Sequence, residues 1–175
     1  MWEDGSNGEL HMVDAIAFTP DILVPGDCLL YQGSSLFSWA IRVKTFSYIS
    51  HVECFIGNKR ALASRDGEGV SNYPLRLDSL VEVLRPNDIF DLDAGIAWYG
   101  TVKGRPYDWK QLFTFLKAGR SALENEEAFF CSEFANAFYR KCGLHPFSRT
   151  YPSTAVSPGM FRASPHFDVV WTTLN

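Results

Sequence analysis

A chain of 175 residues with 46% hydrophobic and 15% aromatic content is long enough for one globular domain with a full core. A formal net charge of −4 without basic runs argues against a nucleic-acid surface, and no apolar stretch is long enough to span a bilayer. Four cysteines at irregular spacing, with no Cys-x-x-Cys pair, fit reduced thiols better than a disulfide frame or a zinc site, so neither metal nor other cofactor is expected.

Residues 1–12 are polar and patternless, and they read as a flexible leader that leaves 13–175 as a single domain. Met1-Trp2-Glu3-Asp4 lacks the basic and apolar regions of a signal peptide. The expectation is therefore a cytoplasmic chain, or one exported by a route that the sequence does not encode. Pro25-Gly26-Asp27 is a turn, and Cys28-Leu29-Leu30-Tyr31 a short strand leaving it. Ser34 or Ser35 can cap a helix in which Leu36, Phe37, Ala40, Ile41 and the stem of Lys44 share a face.

Ser50 to Gly57 alternates as a strand, with His51, Glu53 and Phe55 on one side and Val52, Cys54 and Ile56 on the other. Gly57-Asn58-Lys59 turns it back into Arg60-Ala61-Leu62-Ala63-Ser64 as a hairpin. Asp66 to Gly69 is a loop, Val70 starts another extended piece, and Leu80 to Leu84 is a third sheet strand ended by Arg85-Pro86. A helix is expected from Asp93 as cap to Gly104 as stop, weakened by Gly95 and Gly100. Asp108 caps the next helix, whose stripe is Trp109, Leu112, Phe113 and Leu116. Residues 121–127 form a charged link. Prolines interrupt the tail after Gly143 until a closing strand, Phe167 to Trp171. Helices and mostly antiparallel strands in segregated runs make the class α+β.

The chemistry centres on Ala128 to Gly143. Cys131, Phe134, Ala135, Phe138 and Cys142 form an apolar stripe of helical period, with Glu133 near the start, Arg140 and Lys141 in the last turn, and Gly143 as a left-handed stop. Cys131 heads that stripe in the first turn, where unpaired amides favour a thiolate, especially beside a histidine. A thiolate so held is an activated nucleophile; the plainer alternative is a buried core cysteine. His51 is the best partner, because Glu53 two residues on can reach its ring. If the Cys131 helix packs on the sheet face that carries His51 and Glu53, thiol, imidazole and carboxylate converge. His11, His145 and His166 lie in leader or loop contexts where nothing visible fixes the ring.

Pro25-Gly26-Asp27, Ser50-His51-Val52 with Phe55-Ile56-Gly57, Gly104-Arg105-Pro106-Tyr107-Asp108 and Phe130-Cys131-Ser132-Glu133 follow one another as in the NlpC-type papain-like cysteine hydrolases. The order resembles their circularly permuted branch, the YiiX-like proteins, since the histidine strand here precedes the cysteine helix. The resemblance runs from about Pro25 to Trp171. It implies a permuted papain-like fold, Cys131 as nucleophile, His51 as general base, and Tyr107 as a hydroxyl beside the nucleophile that holds the substrate carbonyl or its oxyanion. Relatives place a polar residue on the strand after the histidine strand, where Ala63 stands here. Glu53, then Ser64 or Asp66, are the substitutes for orienting His51.

The expected function is a thiol hydrolase acting on amide or ester carbonyls of a peptide or acyl substrate, with cell-wall peptides as the substrate the resemblance implies. The alternatives are a lipid acyl hydrolase or acyltransferase of the same fold, and a binding module that has lost catalysis.

Overall fold

The computed structural model describes residues 18–118 and 127–174, the side chains of 115–118 excepted. The expected leader and most of the charged link at 121–127 lie outside the described residues, as does the side chain of Leu116.

Six strands form one antiparallel sheet in the order β4-β3-β2-β1-β5-β6. They are β1 (Cys28–Tyr31), β2 (His51–Gly57), β3 (Arg60–Arg65), β4 (Gly69–Pro74), β5 (Leu80–Pro86) and β6 (Phe167–Thr172). The helices are α1 (Leu36–Thr45), α2 (Leu92–Val102), α3 (Trp109–Ala118) and α4 (Cys131–Lys141). The class is thus mixed α+β. The β2–β3 hairpin turns through Asn58 and Lys59, both left-handed (φ 50° and 56°), which sets Cys54 opposite Leu62 and Phe55 opposite Ala61.

Local chemistry fixes both ends of α4. Glu133 reaches back to accept from the Phe130 amide (3.4 Å). At the other end Gly143 adopts φ +85°, while the amides of Gly143 and Leu144 donate to the carbonyls of Arg140 and Tyr139. That is the Schellman arrangement a C-terminal glycine permits. Phe134, Phe138 and Tyr139 are wholly buried, and Trp98 of α2 stacks on Phe134 with centroids 5.7 Å apart. α2 lies close because Gly95 has no side chain, where a β-carbon would sit 2.2 Å from Cys142 Sγ. The glycine that weakens α2 locally is what lets it dock. The cap of α2 is Asp91, accepting from the Ala94 amide at 3.0 Å, and not Asp93, which falls in the first turn.

The sheet separates two apolar layers. Leu30, Val52, Cys54 and Leu62 face α2 and α4, whereas Leu29, Tyr31, Phe55 and Ala61 face the other way with Leu23, Leu75 and Trp171. This corrects one expectation: α4 packs on the Val52/Cys54 face, opposite the face that carries Glu53 and Phe55. The face expected for α1 also differs. Ile41 is buried, but Leu36 is 76% exposed and Lys44 is in solvent. The rest of the expected face does dock, with Phe37 4.7 Å from Trp109 and 6.1 Å from Phe113 in ring centroids.

Candidate active site

Since α4 lies behind the sheet, the site forms at the strand end. His51 is the first residue of β2, and Cys131 is the first residue of α4, which starts just beyond that end with the thiol 4.0 Å from the Ser50 carbonyl. Turning around the strand end, the imidazole lies within hydrogen-bonding reach of the Cys131 thiol. Its Nε2 donates to Glu53 Oε1 at 3.1 Å.

Glu53 is fully buried on the far face of the sheet and is gripped from three sides. Arg65 binds it with two nitrogens (2.9 and 3.1 Å), Arg76 adds a third contact at 2.9 Å, and His51 supplies the fourth. Burial alone would raise this carboxyl, but His51 and Arg65 outweigh it and hold the pKa at about 2. Burial likewise works against the imidazolium of His51. The negative charge of Cys131 and its hydrogen bond, followed by Glu53, overcome it and raise the ring to about 9. Arg65 lies over the ring of Tyr73 (4.1 Å) and Arg76 over that of Tyr31 (5.3 Å), so both guanidinium groups are held by aromatic faces as well as by charge.

Tyr107 reaches the same place from the opposite wall. The Gly104–Asp108 stretch is tied down by backbone bonds from Val70 to Arg105 (2.8 Å), from Phe129 to Pro106 (3.2 Å) and from Asp108 to Phe129 (3.1 Å). Gly69 is required there. It has φ +78°, and a β-carbon on it would lie 2.3 Å from the Arg105 carbonyl oxygen. Asp108 caps α3 by accepting from the Gln111 amide at 2.7 Å. The Tyr107 hydroxyl comes within hydrogen-bonding reach of both the thiol and the backbone amide of Cys131, at the start of α4. Burial, then the charges of Cys131 and Asp66, push this phenol well above its ordinary range, so it is a hydroxyl donor near neutral pH.

Of the three residues considered for orienting His51, Glu53 makes the contact. The Ser64 hydroxyl donates to the Phe129 carbonyl at 2.6 Å, on the α4 side, and Asp66 is exposed. The sequence reading missed Arg65 and Arg76. For Arg65 a signal existed: a buried glutamate needs a cation, and the neighbouring hairpin strand ends in one. Arg76 follows β4 with no local pattern to mark it.

A cleft of about 310 Å³ opens over the site, bounded by Phe37, Ser38, Ile41, His51, Arg76 and Tyr107 among others. The Cys131 sulfur is not part of its wall. The residue is 1% exposed, and of the groups about it His51 and Tyr107 line the cleft, so the sulfur is not open to a carbonyl carbon in this arrangement. The remaining cysteines, Cys28, Cys54 and Cys142, are buried free thiols whose pKa values burial pushes up.

Among the described residues no helix is long and apolar enough to cross a membrane. No family model matches the chain, and no curated protein matches it in sequence. In fold it is similar to the crystal structure of the metalloprotein yiiX from Escherichia coli O157:H7, at 19% identity and a TM-score of 0.63 over 86% of this chain and 98% of that one. The architecture of this chain is therefore a yiiX-like α+β fold.

Proposed function

We propose that the chain is a thiol hydrolase of the permuted NlpC-like papain type, working through Cys131 and His51. The observation that carries this reading is that one imidazole is bonded to a buried, ionised carboxylate and lies within reach of a thiol at a helix start. His51 takes the thiol proton, and Sγ bonds to the substrate carbonyl carbon. As the tetrahedral intermediate collapses, the C–N or C–O bond breaks and the imidazolium returns its proton to the leaving amine or alcohol. Water then attacks the thioester, with His51 as base, releasing the acid and restoring the thiol. Tyr107 and the amides at the start of α4 stand where the oxyanion forms. Glu53 orients His51 and, held ionised by Arg65 and Arg76, keeps the ring protonated once it has accepted a proton.

The motif order supports cell-wall peptides as the substrate class; an acyl ester is the alternative within the same chemistry. The yiiX structure is described as that of a metalloprotein. Among the described residues here, no three His, Cys, Asp or Glu side chains are grouped to hold an ion, so those residues do not fit a metal. The 1% exposure of Cys131 favours a second reading, a binding module whose thiol is core. Incubation with muropeptides and with p-nitrophenyl butyrate, followed by intact mass analysis after acid quench, separates the two. A thioester adduct that localises to Cys131 and is absent from Cys131→Ala supports the hydrolase. No product release by either protein supports the binder, and identical release by both removes Cys131 from the chemistry.

A further inference from the structure

Past the end of α4 the chain builds a second hollow that the proposed chemistry does not use. His145 to Tyr151 and Met160 to His166 run as two arms, with a cavity of about 540 Å³ between them. Arg140 sets the first arm, its guanidinium donating to the carbonyls of Ser148 (3.1 Å) and Tyr151 (2.7 Å). Buried Ser164 ties the second arm to the first by donating to the Pro146 carbonyl at 2.7 Å. Helix α4 runs from Cys131 to Lys141, so about 16 Å of helix lies between this hollow and the thiol. Its volume is that of a small-molecule site. Phe147, Tyr151, Met160 and Pro165 give it an apolar wall, and Phe147 packs on the buried ring of Phe161 with centroids 5.3 Å apart. The hollow is therefore anchored on the core.

The polar groups of the wall point to the occupant. The side chains there that can carry charge near neutral pH are His145, Arg149 and His166, and none is acidic. Asp88, outside the wall, is bound to His166 Nδ1. Neither His145 nor Arg149 has an acidic partner among the described residues. The Nδ1 atom of His145 is buried and has no hydrogen-bond partner, an unusual state for a polar atom in a folded chain. Burial, then the positive charges of Arg149, Arg140 and His166, lower the pKa of this ring, and no carboxylate acts on it in the other direction. A guanidinium fork and an imidazole nitrogen are donors that suit carboxylate or phosphate oxygens, and an anion seated here meets an uncompensated positive field.

We propose that this hollow binds a small molecule with one anionic oxygen head on an apolar body, the head on Arg149 and His145 and the body against Phe147, Tyr151 and Met160. The site lies at the opposite end of α4 from Cys131 and does not depend on the chemistry proposed there.

Titration calorimetry with 4-phenylbutyrate tests it, while NMR of isotope-labelled methionine methyl groups reports through Met160 where the ligand sits. The parent protein is expected to bind with a Kd of about 1 mM or tighter, and the Met160 methyl signal should move with the same saturation. The neutral 4-phenylbutyramide, which has the body without the charge, and acetate, which has the charge without the body, should each bind at least about tenfold more weakly. Arg149 and Ala163 are exposed, so replacing them leaves the fold in place. Arg149→Glu should weaken 4-phenylbutyrate at least about tenfold, and Ala163→Trp, whose ring fills the hollow, should remove binding. Lys103→Glu, the same reversal of charge at the far end of α2, should bind as the parent does. The proposal is overturned if the parent shows no saturation by about 10 mM, or if the amide binds as tightly as the acid. It is also overturned if Arg149→Glu or Ala163→Trp binds as the parent does, or if heat is released without movement of the Met160 signal, which would place the anion elsewhere.

Discussion

Replacing Cys131 with alanine, or His51 with glutamine, is expected to lower turnover of any amide or ester substrate by about three orders of magnitude or more. The stability of Cys131→Ala should stay within about 1 kcal/mol of the parent, because little volume is lost and the His51 ring keeps Glu53 as its partner. The two effects should not add. A thiol without its base and a base without its thiol lose the same step, so Cys131→Ala/His51→Gln should be no slower than the worse single variant. Steady-state kinetics on p-nitrophenyl butyrate, paired with urea unfolding, measures both quantities. A His51→Gln variant with parental turnover would remove the histidine from the mechanism.

The largest effect on stability is expected at Glu53. It is fully buried and bound by two guanidinium groups and an imidazole, so Glu53→Ala leaves Arg65, mostly buried, without its counter-charge. Breaking such a group from one side costs about 3–5 kcal/mol, whereas Glu53→Gln, which keeps an acceptor oxygen, should cost less. Stability should also follow pH in a specific way. The carboxyl is lowered from 4.5 to about 2 on folding, so its contribution is full above pH 4.5 and is lost as pH falls through 2. The imidazole is raised from 6.5 to about 9, so its contribution is full below pH 6.5 and is lost as pH rises through 9. Urea midpoints across this range should therefore be highest between those limits in the parent; in Glu53→Ala the acid limb should flatten, and the alkaline limb should persist in reduced form because Cys131 is the larger cause of the His51 shift. An unchanged profile in Glu53→Ala would mean that the cluster does not govern stability.

Features set by neighbours in sequence were the ones that could be read in advance. Period, acidic start and glycine stop place α4 within a residue or two, and the two-residue spacing of His51 and Glu53 gives their contact directly. What depends on packing was less accessible. The strand alternation says that His51 and Glu53 share a side, but not which side a helix eighty residues later will cover. The helix covers the other one, and the thiol meets the ring only because both begin their elements at the same edge. Helix α1 shows the same limit, since Phe37/Ile41 and Leu36/Trp39/Val43 are two acceptable stripes and only the presence of Trp109 selects between them. Asp91 and Asp93 could each have capped α2, and Arg76 comes to Glu53 through a loop whose course no local pattern records.

Alkylation of the folded protein by iodoacetamide, read site by site by mass spectrometry against pH, tests most directly whether Cys131 and His51 act as a thiolate–imidazolium pair. At pH 6.5–7 Cys131 should be labelled about tenfold or more faster than Cys28, Cys54 or Cys142, and His51→Gln should abolish that advantage. The effect of His51 should fade as pH rises through about 9, where the ring loses its proton. Labelling of Cys131 no faster than the three core thiols, and indifferent to His51→Gln, would contradict the pairing and leave the sulfur as a part of the core.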